Sequence, residues 1–438
     1  MFKLKPALLF TGIALFGLTP VKNAWSNTVT AVEKQIIDEV DRNFSQQLSF
    51  LEKTVNINSG TRNVTGVNEV AKVYRLAFNK LGMKTDLITL PKQVERGNHL
   101  TATLINGDSG KLKDIMLIGH MDTVFPKTDE FQHFQRDGNK ISGPGVTDMK
   151  DGNSIIVYAL KALADNNLLD KVNIRVILNS DEESVGRPIE ISRKPMVKMA
   201  KQSDYALSFE SGKQGAVTIA RRGNTSWSLD INAKSAHSSG IFSTNTGAGA
   251  IFEASRILNS FYGQIRGEAG LTFNPGVIVG GALVETANKP NYYQSYGKVN
   301  IVPQKTMIKG DMRFISNQQR DSVKQKMSNI VATHLPHTSS KINFTDGYPA
   351  MEETEGNRRL LQIFDHLSQD MGYGAVEAYP AEKRGAGDVS FVADYVDAID
   401  GLGASGGGSH TVREHVNVDS LRMATQRTAI FIHRLSQL

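Results

Sequence analysis

Three apolar stretches, separated by stretches of helical spacing, mark the first half of the chain. They occupy residues 115–119, 172–178 and 205–209. Stretches of this kind, rich in Ile, Val and Leu, are typical of parallel strands buried on both faces. Apolar residues at helical spacing in 153–164 and 358–367 predict helices that cover such a sheet. The pattern predicts an α/β domain, in which functional groups gather beyond the carboxyl ends of the strands.

The pattern changes between about residues 222 and 344, where alternating positions replace the apolar stretches. The elements predicted there, in chain order, are strand 225–231, helix 248–258, strands 277–280 and 307–314, and helix 318–334. This order predicts a small α+β domain inserted between two halves of the sheet domain. We place the domain boundaries at 27–217, 218–345 and 346–438.

The first 26 residues have the pattern of a cleavable secretory signal. Lys3 and Lys5 precede an apolar stretch at 6–18, and small residues lead to a cleavage site that we place after Ser26. A membrane anchor is the alternative interpretation, but the apolar stretch is short for a bilayer span. We therefore expect export to the periplasm or the medium, without membrane attachment after cleavage.

Composition narrows the possible sites. The chain has 438 residues, no cysteine and a net charge of +6. Without cysteine there can be no disulfide and no thiolate ligand, so any metal must be bound by His, Asp and Glu. The basic residues are scattered among acids, whereas nucleic-acid binding requires a concentrated basic surface. We expect no nucleic-acid partner.

Each predicted strand is followed by a cluster of acidic residues or histidine. These residues are His120 and Asp122 after the first strand, Asp181, Glu182 and Glu183 after the second, and Glu210 after the third. Each cluster has an alternative interpretation. The first could be a surface turn, the second a set of solvated acids at a helix start, and the third a single surface acid. Three adjacent acids repel one another when buried, and nearby cations would relieve that repulsion.

Two further residues complete a possible metal site. Asp148 follows a glycine-rich turn and either caps the next helix or bridges two cations. His410 closes the glycine-rich stretch 403–409, which lacks the lysine of a phosphate-binding loop. Together with His120, Glu183 and Glu210, these residues suffice for two metal sites that share one carboxylate.

The residues and their spacing resemble a family of co-catalytic zinc exopeptidases and deacylases. The family includes glutamate carboxypeptidases of the carboxypeptidase G type, acetylornithine deacetylase, succinyl-diaminopimelate desuccinylase and aminoacylase. The matching motifs are Gly-His-Met-Asp at 119–122, Gly-x-x-Asp-x-Lys-x-Gly at 145–152, Asp-Glu-Glu at 181–183, Ser-Phe-Glu at 208–210, and His410 followed by Glu414. The resemblance implies a catalytic domain with a mixed, largely parallel sheet covered by helices, and an inserted α+β lid or dimerisation domain.

The resemblance also implies a role for each site residue. Two zinc ions would be held, one by His120 and Glu210 and the other by Glu183 and His410, with Asp148 bridging them. Glu182 would be the general base, and Asp122 would orient His120. The Asp148–Met149 peptide is often cis in such proteins.

The inserted domain carries further implied substrate-binding residues. His237, in Ala-His-Ser at 236–238, matches a histidine that reaches the active site of the partner subunit, which implies a homodimer formed through the lid. Asn300 and Arg313, in the same domain, and Gly408, in the second part of the catalytic domain, match other substrate-binding positions. From the sequence alone, His237 is otherwise an ordinary surface histidine.

The chain departs from the family pattern at two positions. Asp151 stands where glycine is usual, and Tyr348 stands where glutamate-releasing members have an arginine. Tyrosine cannot form a bidentate pair with a carboxylate, so Arg221, Arg222 and Arg384 become the candidates for that contact.

These features predict an exported di-zinc exopeptidase that cuts an amide bond in a small peptide or an N-acyl amino acid, as a carboxypeptidase. An aminopeptidase or dipeptidase, or an N-acyl amino acid deacylase, is the alternative enzyme. A non-catalytic exported binding protein is the alternative of another class, although every catalytic position is filled.

Overall fold

A computed structural model describes residues 28–108, 110–286 and 292–438 of the protein. The α-helices are α1 (Ala31–Val55), α2 (Val64–Lys80), α3 (Asp151–Asp165), α4 (Ile189–Ala200), α5 (Ala250–Gln264), α6 (Asn317–Ala332), α7 (Glu355–Asp370) and α8 (Val418–Leu435). The strands are β1 (Lys84–Ile88), β2 (His99–Leu104), β3 (Asp114–His120), β4 (Gln135–Asp137), β5 (Lys140–Ser142), β6 (Asn173–Asn179), β7 (Tyr205–Ser208), β8 (Ala216–Val217), β9 (Gly223–Ala233), β10 (Thr272–Gly281), β11 (Leu283–Thr286), β12 (Tyr293–Tyr296), β13 (Lys305–Phe314), β14 (Thr338–Asp346), β15 (Glu377–Ala378), β16 (Asp397–Ile399), β17 (Gly406–Gly407) and β18 (His415–Asn417). The predicted signal, residues 1–26, lies outside the described residues.

The larger domain is built on a six-stranded sheet with the order β1-β2-β6-β3-β7-β16. The last four strands in this order are parallel, and β1 and β2 run antiparallel at one edge. The mixed, largely parallel sheet is therefore confirmed. Its three predicted strands are the neighbours β6, β3 and β7, so their carboxyl ends meet at the same edge of the sheet.

Helices cover this sheet, as the apolar spacing predicts. The predicted helices at 153–164 and 358–367 are the central parts of α3 and α7. Helix α3 is buried along most of its length, because it packs between the sheet, α1 and α8. Arg434 links α8 to two other helices, because it forms ion pairs with Glu33 of α1 at 2.6 Å and with Asp370 of α7 at 2.8 Å.

The second, smaller domain is an antiparallel sheet with the order β10-β13-β9-β14, packed against α5 and α6. Strand β9 alternates buried and more exposed residues, which gives the sheet one core face. Trp227, Leu229 and Ile308 lie in that core with Phe261 of α5 and Val323 of α6. The elements predicted for 222–344 are all present.

Helix α5 differs from its prediction at both ends. It begins at Ala250 rather than 248, because Gly249 has a positive φ of 83° that is incompatible with the helix. It continues to Gln264, with Phe261 buried. Within the described residues, no helix is long and apolar enough to cross a membrane.

Candidate metal centre

The residues that follow β3, β6 and β7 converge at one edge of the large sheet. His120 ends β3, Glu182 and Glu183 follow β6, and Glu210 follows β7. Asp148 reaches the same edge from a π-type helical turn, Val146–Lys150, and the Asp148–Met149 peptide is cis as expected. The parallel strand order therefore brings together side chains that are far apart in sequence.

Two groups of ligand atoms share Asp148. In the first group, His120 Nε2 lies 3.3 Å from Asp148 Oδ1 and 3.7 Å from Glu210 Oε1. In the second group, His410 Nε2 lies 3.2 Å from Asp148 Oδ2 and 3.2 Å from Glu183 Oε2. The ligand atoms of each group all lie within 4.8 Å of one another. Each carboxylate oxygen of Asp148 thus faces one histidine and one glutamate, as a bridge between two cations requires.

The charges of this site favour cations. Burial and the neighbouring Asp148 raise the pKa of Glu210 to about 7. Burial and the charge of Glu210 raise the pKa of Glu182 well above its usual value. Hydrogen bonds to Asp148 and Glu183 raise the pKa of His410 to about 11. These raised pKa values favour protons on the glutamates and on His410, which reduce the negative charge of the site. Two divalent cations would instead let the carboxylates ionise and the histidines act as neutral ligands.

Asp122 organises both sides of the centre. Its Oδ1 lies 3.4 Å from His120 Nδ1, and the same ring nitrogen lies 3.0 Å from the Asp122 carbonyl oxygen. Its carboxylate also accepts hydrogen bonds from the backbone N–H groups of Glu182 at 2.9 Å and Glu183 at 3.1 Å. Thr61 Oγ1 donates a further hydrogen bond at 2.6 Å. The sequence predicts the first contact but not the attachment of the Glu182–Glu183 peptide.

The three consecutive acids have three different environments. Asp181 forms a buried ion pair with Arg193 at 2.5 Å, so its charge is compensated inside the protein rather than by a metal. Glu183 contacts His410, as described above. Within the described part of the chain, no hydrogen bond or ion pair is made by the carboxylate of Glu182, which is therefore free to accept a proton. The repulsion argument from the sequence thus applies to Glu182 and Glu183 but was wrong for Asp181.

Glu414 fixes the turn that carries Asp148. Its carboxylate accepts hydrogen bonds from the backbone N–H groups of Gly145 at 3.2 Å, Thr147 at 2.9 Å and Asp148 at 3.1 Å. The sequence marks Glu414 only as part of a motif. Asp151, whose direction the sequence leaves open, accepts from the backbone of Ala404 at 2.9 Å and so points toward the loop that ends at His410.

Of the predicted substrate-binding residues, His237, Asn300 and Arg313 belong to the smaller domain, whereas Gly408 is in the loop that ends at His410. His237 is exposed on the smaller domain, where its Nδ1 lies 2.8 Å from Ser239 Oγ. Asn300 lies beside it, because the Ser238 N–H donates to the Asn300 carbonyl at 2.8 Å. Arg313 of β13 forms an ion pair with Asp311 at 3.1 Å. Gly408 is in the glycine-rich loop with a φ of 72°.

Tyr348 contacts the backbone of Glu182 rather than the candidate metal ligands. Its hydroxyl donates to the Glu182 carbonyl oxygen at 2.7 Å and accepts from Arg193 Nη2 at 3.4 Å. The ring is buried and packs at 5.0 Å from the ring of Phe391. Tyr348 thus holds the backbone of Glu182, which the sequence comparison with glutamate-releasing enzymes could not indicate.

The three candidate arginines are not equivalent. Arg221 is buried and paired with Asp400 at 2.5 Å, and Arg222 donates to the Glu382 carbonyl at 3.0 Å. Arg384 donates to the carbonyl of Ser211, next to Glu210, at 2.7 Å. The Nε atoms of Arg384 and Arg222 are both buried without a hydrogen-bond partner, and neither arginine forms an ion pair within the described residues. Of the two, Arg384 is the one that contacts the segment carrying Glu210.

A cavity of about 460 Å³ opens beside the ligand Glu183. Its lining includes Thr61, which contacts Asp122, and the two cationic side chains of Arg62 and Lys127. This volume suits a small-molecule substrate.

Two relatives align with most of the length of this chain. Carboxypeptidase G2 of Pseudomonas sp. (strain RS-16) is 28% identical over 391 residues, 85% of each chain. Succinyl-diaminopimelate desuccinylase of Rickettsia rickettsii (strain Sheila Smith) is 21% identical over 328 residues, which cover 70% of this chain and 80% of that protein.

Solved structures share the fold. The aminopeptidase PepT of Bacillus cereus ATCC 10987 superposes with a TM-score of 0.72 at 18% identity, covering 90% of this chain and 99% of that one. The M20 family metallo-carboxypeptidase Sso-CP2 of Sulfolobus solfataricus gives a TM-score of 0.63 at 16% identity, with coverage of 90% and 99%. Residues 116–434 match peptidase family M20/M25/M40. The chain is therefore a member of peptidase family M20/M25/M40, a family of metallopeptidases.

Proposed function

We propose that this protein is an exported di-zinc exopeptidase that hydrolyses an amide bond in a small peptide or N-acyl amino acid, acting as a carboxypeptidase. The observation that carries the proposal is the arrangement of two ligand groups around Asp148, with the unbound carboxylate of Glu182 beside them. The likeness to carboxypeptidase G2 supports release of a C-terminal residue. Export rests on the signal pattern of residues 1–26.

The donor set fits zinc, because it consists of imidazole nitrogen and carboxylate oxygen atoms. His120, Asp148 and Glu210 would hold one ion, and Asp148, Glu183 and His410 the other. When bound, zinc would polarise the substrate carbonyl and acidify the attacking water. Glu182 accepts the proton of that water and then gives it to the leaving amine. Asp122 keeps Glu182 in place through the backbone hydrogen bond described above.

Recognition of a C-terminal carboxylate is assigned to Arg384. Its unpartnered Nε and its position next to the Glu210 segment support this assignment. A guanidinium can bind a carboxylate through two parallel hydrogen bonds. The partner subunit's His237 would complete the site by polarising the carbonyl oxygen, so the proposed active form is a homodimer formed through the smaller domain.

Zinc content tests the two ligand groups. After exchange into zinc, we expect about two ions per chain in the wild-type protein and about one in His410→Ala, because His410 belongs to one group only. Metal analysis of the desalted protein measures this. Glu190→Gln, an exposed acid of α4, is the matched control and should keep both ions. Full zinc content in His410→Ala would contradict the ligand assignment.

A substrate panel tests which end is recognised. We expect hydrolysis of dipeptides and of C-terminal glutamate conjugates, with kcat/KM falling at least about tenfold when the terminal carboxylate is amidated, because Arg384 loses its partner. N-acetylation of the same peptides should be tolerated. The opposite pattern would identify an aminopeptidase. If all of these substrates, N-acyl amino acids included, resist a protein that holds two zinc ions, the proposed hydrolysis is wrong.

Glu182→Gln tests the general base. The amide keeps the shape of the side chain but cannot accept the proton, so we expect kcat to fall by about 10²- to 10⁴-fold while zinc content stays near that of the wild type. Steady-state kinetics with parallel metal analysis measures both quantities. Normal turnover in this variant would remove Glu182 from the mechanism. Glu190→Gln again serves as the control.

Hybrid dimers test the role of His237. Glu182→Gln and His237→Ala chains are each expected to be inactive, because one lacks the base and the other lacks the group supplied to its partner. Mixing them should restore activity at one of the two sites of each hybrid dimer, up to about a quarter of the wild-type rate in a fully exchanged mixture. Mass-labelled chains verify the exchange. An inactive mixture after complete exchange would show that His237 does not act across the dimer.

A further inference from the structure

A second cavity lies against the glycine-rich loop 403–409. It has a volume of about 500 Å³, and it is lined by residues of that loop, of the first three turns of α8 and of neighbouring segments that include Gln214 and Tyr373. Those that matter here are Ser405, Asn417, Ser420, Arg422, Met423 and Arg427. None of these residues belongs to the metal centre or to the proposed substrate-binding set.

Arg427 is the unusual residue of this cavity. Its side chain is buried, with 9% of the residue exposed. Its Nε has no hydrogen-bond partner, and its remaining polar contact is a long one, from Nη1 to Ser368 Oγ at 3.4 Å. The guanidinium also lies 5.2 Å from the ring centroid of Phe364. Within the described residues Arg427 forms no ion pair, so a buried positive charge lacks a counter-charge.

Burial of an uncompensated charge is costly, and buried charges are normally paired. Loss of hydration accordingly lowers the pKa of Arg427 to about 10. Burial alone does not explain why the chain keeps an arginine here, since an apolar side chain would pack against Phe364 without that cost. A bound anion would supply the missing counter-charge.

The rest of the lining is also suited to an anion. Arg422 adds a second positive charge at the mouth, although it also lies 3.5 Å from Asp41. Asp419 is the acid of the lining, and its Oδ2 is occupied by a hydrogen bond from Asn139 at 2.8 Å. The amino terminus of α8 also lines the cavity, but its first three N–H groups already donate to Asn139 and Asn417, so the two arginines are the groups available to an anion.

We propose that this cavity binds a small anion through an oxyanion group, carboxylate or phosphate, that pairs with Arg427. The lining contains no candidate metal ligand, but the glycine-rich loop contributes Ser405 to this cavity and ends at His410 of the metal centre. The Ser405 N–H donates to Ser420 Oγ at 2.7 Å, and the Gly212 N–H donates to the Ala404 carbonyl at 3.0 Å. The loop that ends at His410 and the segment that follows Glu210 therefore both form part of the wall.

Calorimetric titration tests the proposal, with inorganic phosphate and with succinate as separate ligands and chloride at equal ionic strength as the reference. We expect saturable one-site binding of at least one of the two, and the pair tells phosphate from carboxylate preference. In Arg427→Gln the Kd should rise at least about tenfold, because a charge-assisted pair is lost. The exposed surface arginine Arg266, mutated to Gln, is the matched control and should bind as the wild type does.

Two further variants remove ambiguities. Gln214→Trp fills the mouth from an exposed position and should abolish binding with little change in Tm, which covers the case in which Arg427→Gln does not fold. His120→Ala weakens the metal centre and should leave anion binding intact. The proposal is overturned if neither anion binds the wild type, if His120→Ala abolishes binding, or if Gln214→Trp and folded Arg427→Gln both bind normally.

Discussion

Mutual repulsion among closely spaced, partly buried carboxylates is the constraint on which the candidate metal centre depends. Asp148, Glu182, Glu183 and Glu210 lie together at one edge of the sheet, where burial and neighbouring charge raise the pKa values of the three glutamates. Such a cluster is stable only if cations or protons compensate it, or if the backbone holds the acids in place. The fold provides backbone restraint, and the two candidate ligand groups are placed so that metal ions could compensate the remaining charge.

The restraint comes from acids that are not ligands. Glu414 accepts three backbone N–H groups of the turn before Asp148, and Asp122 accepts those of Glu182 and Glu183. A carboxylate that accepts several N–H groups fixes a loop more firmly than a neutral acceptor, because charge-assisted hydrogen bonds are stronger. Lys150 is buried near Glu414, and its Nζ donates to the Ile57 carbonyl at 3.0 Å; burial lowers the pKa of Lys150 to about 7.

Much of this arrangement could be predicted from the sequence, because strand and helix patterns are local. The apolar stretches located β3, β6 and β7, and their parallel order put His120, Glu183 and Glu210 at one edge. The restraints could not be predicted, because their partners are distant in the chain. Glu414 contacts Gly145 across 269 residues, and nothing in either segment indicates the other.

The adjacent acids Asp181 and Glu182 show the same limit. Because the acids carry the same charge, the sequence predicts that cations compensate all of them. In the structure, however, Asp181 pairs with Arg193, 12 residues further along the chain. Only the tertiary structure decides which acid of a cluster is compensated internally and which remains available for chemistry.

Tyr348 affects both the position of Glu182 and the groups available to bind a substrate. At a position where the family resemblance implies an arginine in glutamate-releasing members, the tyrosine hydroxyl donates to the carbonyl of Glu182, while the Asp122 carboxylate accepts from the Glu182 N–H. The backbone of the proposed base is therefore held on both sides of its Cα atom, which fixes the point from which its side chain extends. An arginine in that place could offer a charge to the substrate, but it could not accept the hydrogen bond from Arg193 that holds the tyrosine hydroxyl. Tyr348 thus holds the backbone of the proposed base, and under the proposed function a substrate carboxylate would be recognised by another part of the site.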